Sequence, residues 1–194
     1  MRMLDELLQG VEVRSLVGDG TVAVGRLEFD SRKVVPGTLF FATRGTQADG
    51  HAYIPAAVAA GAAAVVCEEL PAERPAGVTF VQVPDSTVAL GQVASAFYGH
   101  PSRRLKLVGV TGTNGKTTTA TLLYRMFRRL GYKAGLISTV VYCVDEREIP
   151  STHTTPDSIR LNAMMAEMVE AGCDYCFMEV SSHSLVQHRT AGLT

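Results

Sequence analysis

The sequence predicts an α/β protein in two parts, a small α/β unit over residues 1–100 and a phosphate-loop unit over residues 101–194. Three observations carry this prediction. Strand patterns alternate with helical ones along the first hundred residues. In the second part, a hydrophobic run enters a glycine-rich turn and then Gly115-Lys116-Thr117, where a helical pattern begins. Between them, Gly99-His100-Pro101-Ser102 gathers chain breakers at one point, the best boundary in the chain.

In the first part, residues 3–8 suggest a short amphipathic helix. Val22 to Phe29 reads as a strand and Asp30-Ser31-Arg32 as a polar turn. Val34-Val35-Pro36-Gly37 is a turn signal, and Thr38 to Thr43 is the next strand. Arg44 to His51 is a polar loop rich in hydrogen-bonding groups. Ile54 to Ala60 suggests a helix stopped by Gly61, and Ala62 to Cys67 a buried strand. After a loop from Pro71 to Pro75, Val78 to Val83 is a further strand. Pro84-Asp85-Ser86 then starts a helix whose buried face carries Leu90, Val93, Ala94 and Phe97.

In the second part, Leu105 to Val110 is aliphatic and β-branched, as a buried strand requires. Past the turn from Thr111 to Gly115, apolar Leu123, Met126, Phe127 and Leu130 share one helix face, and Gly131 is placed to close the helix. Ala134 to Val141 reads as a second strand, Asp145 to Pro150 as a charged turn or hairpin end, and Ser151 to Asp157 as a polar loop. Asp157 is placed to cap a helix with Leu161, Met164, Met165 and Met168 on its packing face. Gly172 ends that helix, and Tyr175 to Val180 is a buried strand closing on the carboxylate of Glu179.

The totals set limits. A chain of 194 residues, 46% hydrophobic and 19% charged, is ample for a core and unlike a disordered protein. No apolar run approaches the ~18 residues of a membrane span. Acidic residues fall where a signal peptide would turn apolar, so a cytoplasmic protein is expected. The four cysteines read as ordinary reduced thiols. Residues 1–100 carry 7 Lys/Arg against 11 Asp/Glu, and residues 101–194 carry 11 against 8. The basic excess therefore accompanies the phosphate loop, as an anionic nucleotide favours, but it is too small to indicate nucleic acid.

The chemistry follows from the loop. Glycines free backbone N–H groups to face phosphate oxygens, and the helix start adds positive potential at the same spot. Lys116 is expected to reach the β- and γ-phosphates of a nucleotide, and the Thr117 hydroxyl to ligate Mg²⁺. The loop is a variant of the strict pattern, with Val110 where the first glycine would stand. Glu179, an acid ending a hydrophobic strand, is expected to hold Mg²⁺ or to support its shell beside the phosphates. The alternative is a surface carboxylate where the strand emerges. The segment Ser181 to Arg189 concentrates hydroxyls, two histidines, Gln187 and Arg189, a set suited to an anionic substrate. A Ser–His nucleophile there lacks the Gly-x-Ser-x-Gly elbow. Cys173-x-x-Cys176 has no second ligand pair, and on a strand the two would face opposite sides, so packing is the better reading.

Gly112-Thr113-Asn114-Gly115-Lys116-Thr117 closely resembles the phosphate loop of the Mur ligases and of their folylpolyglutamate-synthetase relatives. Asp30-Ser31-Arg32, Pro36-Gly37-x-Leu39-Phe40 and Asp49-Gly50-His51 resemble the uridine-nucleotide domain of Mur ligases. Thr154-Thr155-Pro156 and Glu179-Val-Ser-Ser-His183 with Gln187-x-Arg189 resemble the branch that adds the third amino acid of the peptidoglycan stem peptide. The resemblance covers the whole chain. It implies a small N-terminal α/β domain with a mixed sheet, then the first part of a P-loop ATPase domain. It also implies ATP and Mg²⁺ as cofactors, with UDP-MurNAc-dipeptide and a free amino acid, diaminopimelate or lysine, as partners, handled by a monomer.

Roles follow by resemblance, residue by residue. Phe29, Ser31, Thr46, Gln47 and Ala48 would contact the UDP-muramoyl part. Gly112, Thr113, Asn114, Gly115, Lys116, Thr117 and Thr118 would hold ATP. His153, Thr154, Thr155, Ser181, Gln187 and Arg189 would line the muramoyl-dipeptide site, although many relatives carry Asn where this chain has His153. Lys116 and Glu179 would be catalytic, with Thr117 and Glu179 on the metal. The implied reaction joins a carboxylate to an amine through an acyl phosphate. Such ligases continue into further ATPase residues and a C-terminal amino-acid-binding domain, so the chain as given is expected not to ligate alone. The alternatives are the D-Ala-D-Ala-adding Mur ligase, a folylpolyglutamate-type ligase, and a nucleotide- or UDP-sugar-binding module without activity.

Overall fold

A computed structural model describes residues 1–45 and 48–194, and the chain divides into two compact units, Met1–Phe97 and Tyr98–Thr194.

In the first unit, β1 (Arg2–Met3) leads into α1 (Leu4–Leu7), followed by β2 (Ser15–Val17), β3 (Ala23–Val24), β4 (Arg26–Glu28) and β5 (Thr38–Phe41). Then come α2 (Ile54–Ala59), β6 (Ala62–Cys67), β7 (Thr79–Gln82) and α3 (Ser86–Phe97). The main sheet has the order β2-β7-β6-β5-β4, with β4 to β7 parallel and β2 antiparallel at the edge. It is covered on both faces, which is why its strands read as continuous apolar runs. Phe40, Ala42, Val65, Cys67 and Phe80 pack with Ile54 and Ala57 of α2. Residues of the other parity, Leu39, Phe41, Ala64, Val66 and Val81, are equally buried on the opposite face, and α3 packs on β5 and β6.

Two expectations for this unit change. Val22 to Phe29 is not one strand, because Gly25 divides it. Its N–H donates to the Gly37 carbonyl at 2.9 Å, while β3 pairs antiparallel with β1 and β4 pairs parallel with β5. The strand β2 was not anticipated. Leu16 and Val17 are 40% and 38% exposed at the sheet edge, so no buried alternation marks it. The polar turn at Asp30 is a short 3₁₀ turn, Ser31–Lys33, capped by the Asp30 carboxylate on the Arg32 N–H.

The second unit has β8 (Lys106–Val110), α4 (Lys116–Arg129), β9 (Ala134–Ile137), β10 (Val141–Val144), β11 (Arg147–Pro150), α5 (Ser158–Glu170), β12 (Tyr175–Glu179) and α6 (Ser182–Val186). Its mixed sheet has the order β11-β10-β9-β12-β8. β8, β12 and β9 are parallel; β10 and β11 extend the sheet antiparallel. Alternate residues serve opposite helices. Leu136, Cys143 and Phe177 meet Ala120, Leu123, Tyr124 and Phe127 of α4, whereas Ile137, Tyr142, Val144, Cys176 and Met178 meet the Leu161 and methionine face of α5. Gly135 belongs to this fit, since a Cβ there would lie 2.2 Å from the Met168 sulfur.

Here too some expectations are corrected. β8 is not a buried strand but an edge strand, with Val108 36% exposed. The run from Ala134 to Val141 turns at Ser138, whose hydroxyl donates to the Val141 carbonyl and accepts from the Val140 and Val141 N–H groups. The charged stretch after it is a hairpin: Asp145 (φ +53°) and Glu146 form the turn, and Arg147–Pro150 is a strand. The buried face of α4 is Ala120, Leu123, Tyr124 and Phe127, not the predicted quartet. Met126 and Leu130 are exposed, because apolar residues occupy more than one face of this helix. Cys173 precedes β12, so it and Cys176 share one core rather than facing opposite sides. All four thiols are free and buried, and burial pushes Cys67 up to about 11 and Cys176 up to about 12. Thiolate chemistry is thereby disfavoured, in keeping with packing.

Candidate active site

The site is built where β8 and β12 run side by side. Their register pairs Glu179 with Val110, so the last residue of β12 sits level with the residue that enters the glycine turn. Strands ending together at one sheet edge, followed by a helix, form a crevice suited to ligands in open α/β sheets. A cleft of about 680 Å³ opens there, lined by Thr111 to Thr117 with Thr139, Thr154, Glu179, Ser181, Ser182 and His183.

The turn depends on its glycines through dihedral angles rather than crowding. Gly112 has φ +143° and Gly115 φ +81°, yet a Cβ on Gly115 would meet nothing within 4 Å. Only glycine adopts this path without strain, and the path leaves the loop open. No backbone N–H from Gly112 to Gly115 has a partner among the described residues, and α4 begins without a side-chain cap. Donors at a long helix's N-terminus, unclaimed by the chain, are what a phosphate needs. The Lys116 ammonium lies over the same loop, donating to the Gly112 carbonyl at 2.6 Å and the Thr113 carbonyl at 3.4 Å.

Glu179 is 1% exposed, and three donors hold its carboxylate. The Thr117 hydroxyl donates to Oε2 at 2.9 Å, the Thr139 N–H to Oε1 at 2.8 Å, and the Thr139 hydroxyl lies 3.2 Å from Oε2. The Thr117 hydroxyl and the carboxylate are therefore adjacent hard-oxygen donors. No cluster of three His, Cys, Asp or Glu that could hold a metal exists among the described residues. This donor set fits Mg²⁺, which is bound through one or two carboxylates with phosphate oxygens and waters completing its shell.

The expected substrate residues divide. Thr154 and Ser181 line the cleft, and Ser181 also caps α6 through the Ser184 N–H. Thr155 is buried instead: its hydroxyl donates to the Glu179 carbonyl at 2.9 Å and accepts from the Ser181 N–H. His153 is exposed outside the cleft, its carbonyl accepting from the Tyr142 hydroxyl. Gln187 and Arg189 bond to each other, and Arg189 Nη1 donates to the Thr155 carbonyl at 2.7 Å; neither is among the residues that line the cleft. Thr118 is exposed on the first turn of α4, beyond the lining. Thr139, Ser182 and His183 line the cleft without having been assigned. His183 was legible as a polar residue close to Glu179; Thr139 carried no such signal.

In the first unit, Phe29 and Ser31 follow β4, and Ala48 lies in the loop after β5. These strands are parallel neighbours, so both segments leave the sheet at the same edge. Phe29 is 40% exposed, Ala48 is exposed and Ser31 half-buried. Thr46 and Gln47 lie outside the described residues.

Comparison with known proteins agrees with this geometry. The Mur ligase middle domain matches residues 110–194, and the description "Mur ligase family, catalytic domain" matches residues 24–98. The chain is 54% identical over 191 residues to a UDP-N-acetylmuramoyl-L-alanyl-D-glutamate–2,6-diaminopimelate ligase of Bacteroides thetaiotaomicron, and 56% identical over 190 residues to one of Bacteroides fragilis. Each alignment covers 98% of this chain, which spans about 40% and 39% of those relatives. A solved structure of a diaminopimelate ligase of the same name superposes with a TM-score of 0.77 at 24% identity, covering 98% of this chain and 38% of that one. A Thermotoga maritima MurF ligase solved in complex with ADP gives 0.54 at 23%, covering 81% and 32%. No helix of the described residues is long and apolar enough to cross a membrane. Sequence, fold and loop geometry agree: the chain belongs to the Mur ligase family.

Proposed function

We propose that this chain carries the UDP-sugar and nucleotide sites of an ATP-dependent ligase adding 2,6-diaminopimelate to UDP-MurNAc-L-Ala-D-Glu in the cytoplasm. The observation that carries the reading is a single cleft bringing together open phosphate-loop amides, Lys116, Thr117 and the buried Glu179. The name shared by curated relatives with 51–56% identity supports diaminopimelate over lysine.

Catalysis in such a site is positioning and charge neutralisation. The amides of Gly112 to Thr118 and the Lys116 ammonium hold the triphosphate, with Lys116 leaving the loop carbonyls for the phosphates. Mg²⁺, when bound, would neutralise charge on the phosphate oxygens, and Thr117 and Glu179 are the residues that would hold it. Thr154 and Ser181 present the terminal carboxylate of the dipeptide to the γ-phosphate. The carboxylate oxygen attacks phosphorus, ADP leaves, and the amine of the incoming amino acid displaces phosphate from the acyl phosphate. Arg189 and Gln187 brace the Thr155 segment behind them, while Phe29, Ser31 and the loop containing Thr46, Gln47 and Ala48 bind the uridine end.

Calorimetry with Mg·ADP and, separately, UDP-MurNAc-L-Ala-D-Glu tests the reading. Saturable binding of both is expected. A chain that binds neither is not part of such a ligase.

A further inference from the structure

We infer that Thr139 is a positioning residue that sets the Glu179 carboxylate for the cation and couples it to Thr154 through a hydroxyl relay. The inference rests on the nucleotide–Mg²⁺ reading above and deepens it.

The geometry begins with proton counting. The Thr139 oxygen lies 3.2 Å from Glu179 Oε2 and 3.0 Å from the Thr154 hydroxyl oxygen. A threonine hydroxyl has one proton, and an ionised acceptor takes it in preference to a neutral one. The carboxylate therefore holds the larger share of the Thr139 proton, and the Thr154 oxygen accepts the rest. Thr154 and Glu179 thus compete for one donor, the Thr139 hydroxyl. Thr139 grips the carboxylate a second time, since its N–H donates to Oε1 at 2.8 Å. One residue thus reaches both carboxylate oxygens, while Thr117 shares Oε2.

The turn that carries Thr139 is itself held. Ser138 is fully buried, its hydroxyl satisfies the Val140 and Val141 N–H groups, and its carbonyl accepts from the Ser151 hydroxyl at 2.9 Å. The threonine is therefore presented by a fixed support, the condition under which a neighbouring hydrogen bond orients a metal-binding carboxylate. The Thr154-Thr155 segment meets Glu179 at both levels. Thr154 reaches its side chain through Thr139, and Thr155 donates to its backbone carbonyl at 2.9 Å. Displacement of this segment by an occupant of the cleft is thus felt at the carboxylate.

The test uses the chain as it stands, with the fluorescent nucleotide mant-ADP titrated at increasing Mg²⁺ and again in EDTA. Thr139→Val removes the hydroxyl and keeps both the branched shape and the N–H. It is expected to raise the half-saturating Mg²⁺ about tenfold, the effect of losing one hydrogen bond to a charged group. Affinity in EDTA stays unchanged. Thr139→Ser restores the Mg²⁺ dependence to within about twofold. Thr154→Val alone removes the competing acceptor and lowers the half-saturating Mg²⁺ about two- to threefold, and it adds nothing on top of Thr139→Val, because the relay is already cut. An unchanged Mg²⁺ dependence in Thr139→Val overturns the inference. So does a parallel loss of affinity in EDTA, which assigns the hydroxyl to folding of the loop. A wild-type chain that binds no mant-ADP under either condition rejects the nucleotide reading itself.

Discussion

The Arg44–His51 loop and the Thr111–Gly115 loop each follow a parallel strand and each depend on glycine, yet they use their polar groups in opposite ways. In the first, Gly45 N–H donates to the Ala48 carbonyl and Gly50 N–H to the Thr43 carbonyl, both at 2.9 Å. His51 Nε2 accepts from the Glu68 and Glu69 N–H groups, and Arg44 pairs with Asp49, Glu68 and Glu69. The second loop turns its donors away from the chain and lays only the Lys116 ammonium across itself. A loop that consumes its own donors presents shape; a loop that keeps them presents charge. Open amides beside an ammonium are what a polyphosphate needs.

Substitution separates the two. The largest effect is expected at Lys116→Met, which should weaken ADP about 100-fold, as loss of a charge-assisted contact implies. Arg44→Met should leave ADP affinity untouched. Calorimetry decides, and equal losses in the two variants would end the contrast. Next is Gly50→Ala. Its Cβ would stand 2.6 Å from the Thr43 carbonyl oxygen and 2.8 Å from the Thr43 nitrogen, both backbone atoms that cannot swing aside. A cost of about 3 kcal/mol is expected in urea unfolding. Gly115→Ala meets no atom and bears only the strain of positive φ, about 1–2 kcal/mol. If the two alanines cost the same, crowding is not what distinguishes the loops.

How far the sequence disclosed this follows from the same physics. The phosphate loop was legible because glycine and lysine spacing encodes a backbone path directly. Glu179 was legible because a carboxylate ending an apolar run is costly to bury unless donors or a cation meet it there. Thr139 was hidden. Val140 and Val141 beside it prolong a β-branched run, and the turn at Ser138 depends on a serine hydroxyl bonding locally, with a partner at Ser151 that no periodicity reports. The helix α4 was placed correctly, but its buried side was misread because Leu122, Met126 and Leu130 are apolar and exposed. Gln187 and Arg189 were expected to meet an anionic substrate, whereas their direction toward Thr155 is a tertiary fact that spacing does not carry. Backbone-encoded chemistry is readable from spacing; chemistry assembled across loops is not.

The smallest effect tests whether the first unit fixes its other polar turn in the same self-contained way. Asp30 caps Ser31–Lys33, and its carboxylate accepts from Arg32 Nε and Nη2, both at 2.9 Å. The side-chain bond from Arg32 is the main reason that the carboxyl lies below its ordinary value of 3.8. The sign follows from that depression. The contribution to stability is fully present above the unfolded value and is lost as pH falls through the lower, folded one. Asp30→Asn should therefore destabilise at pH 7 and cease to differ from wild type well below about pH 4. Arg32 is 87% exposed, so solvent screening keeps the difference small. Urea midpoints at about pH 7 and about pH 2.5 make the measurement. A difference that persists unchanged in acid would show that the turn is held by the shape of its cap rather than by its charge, and the self-contained loops of the first unit would then owe nothing to ion pairing at Asp30.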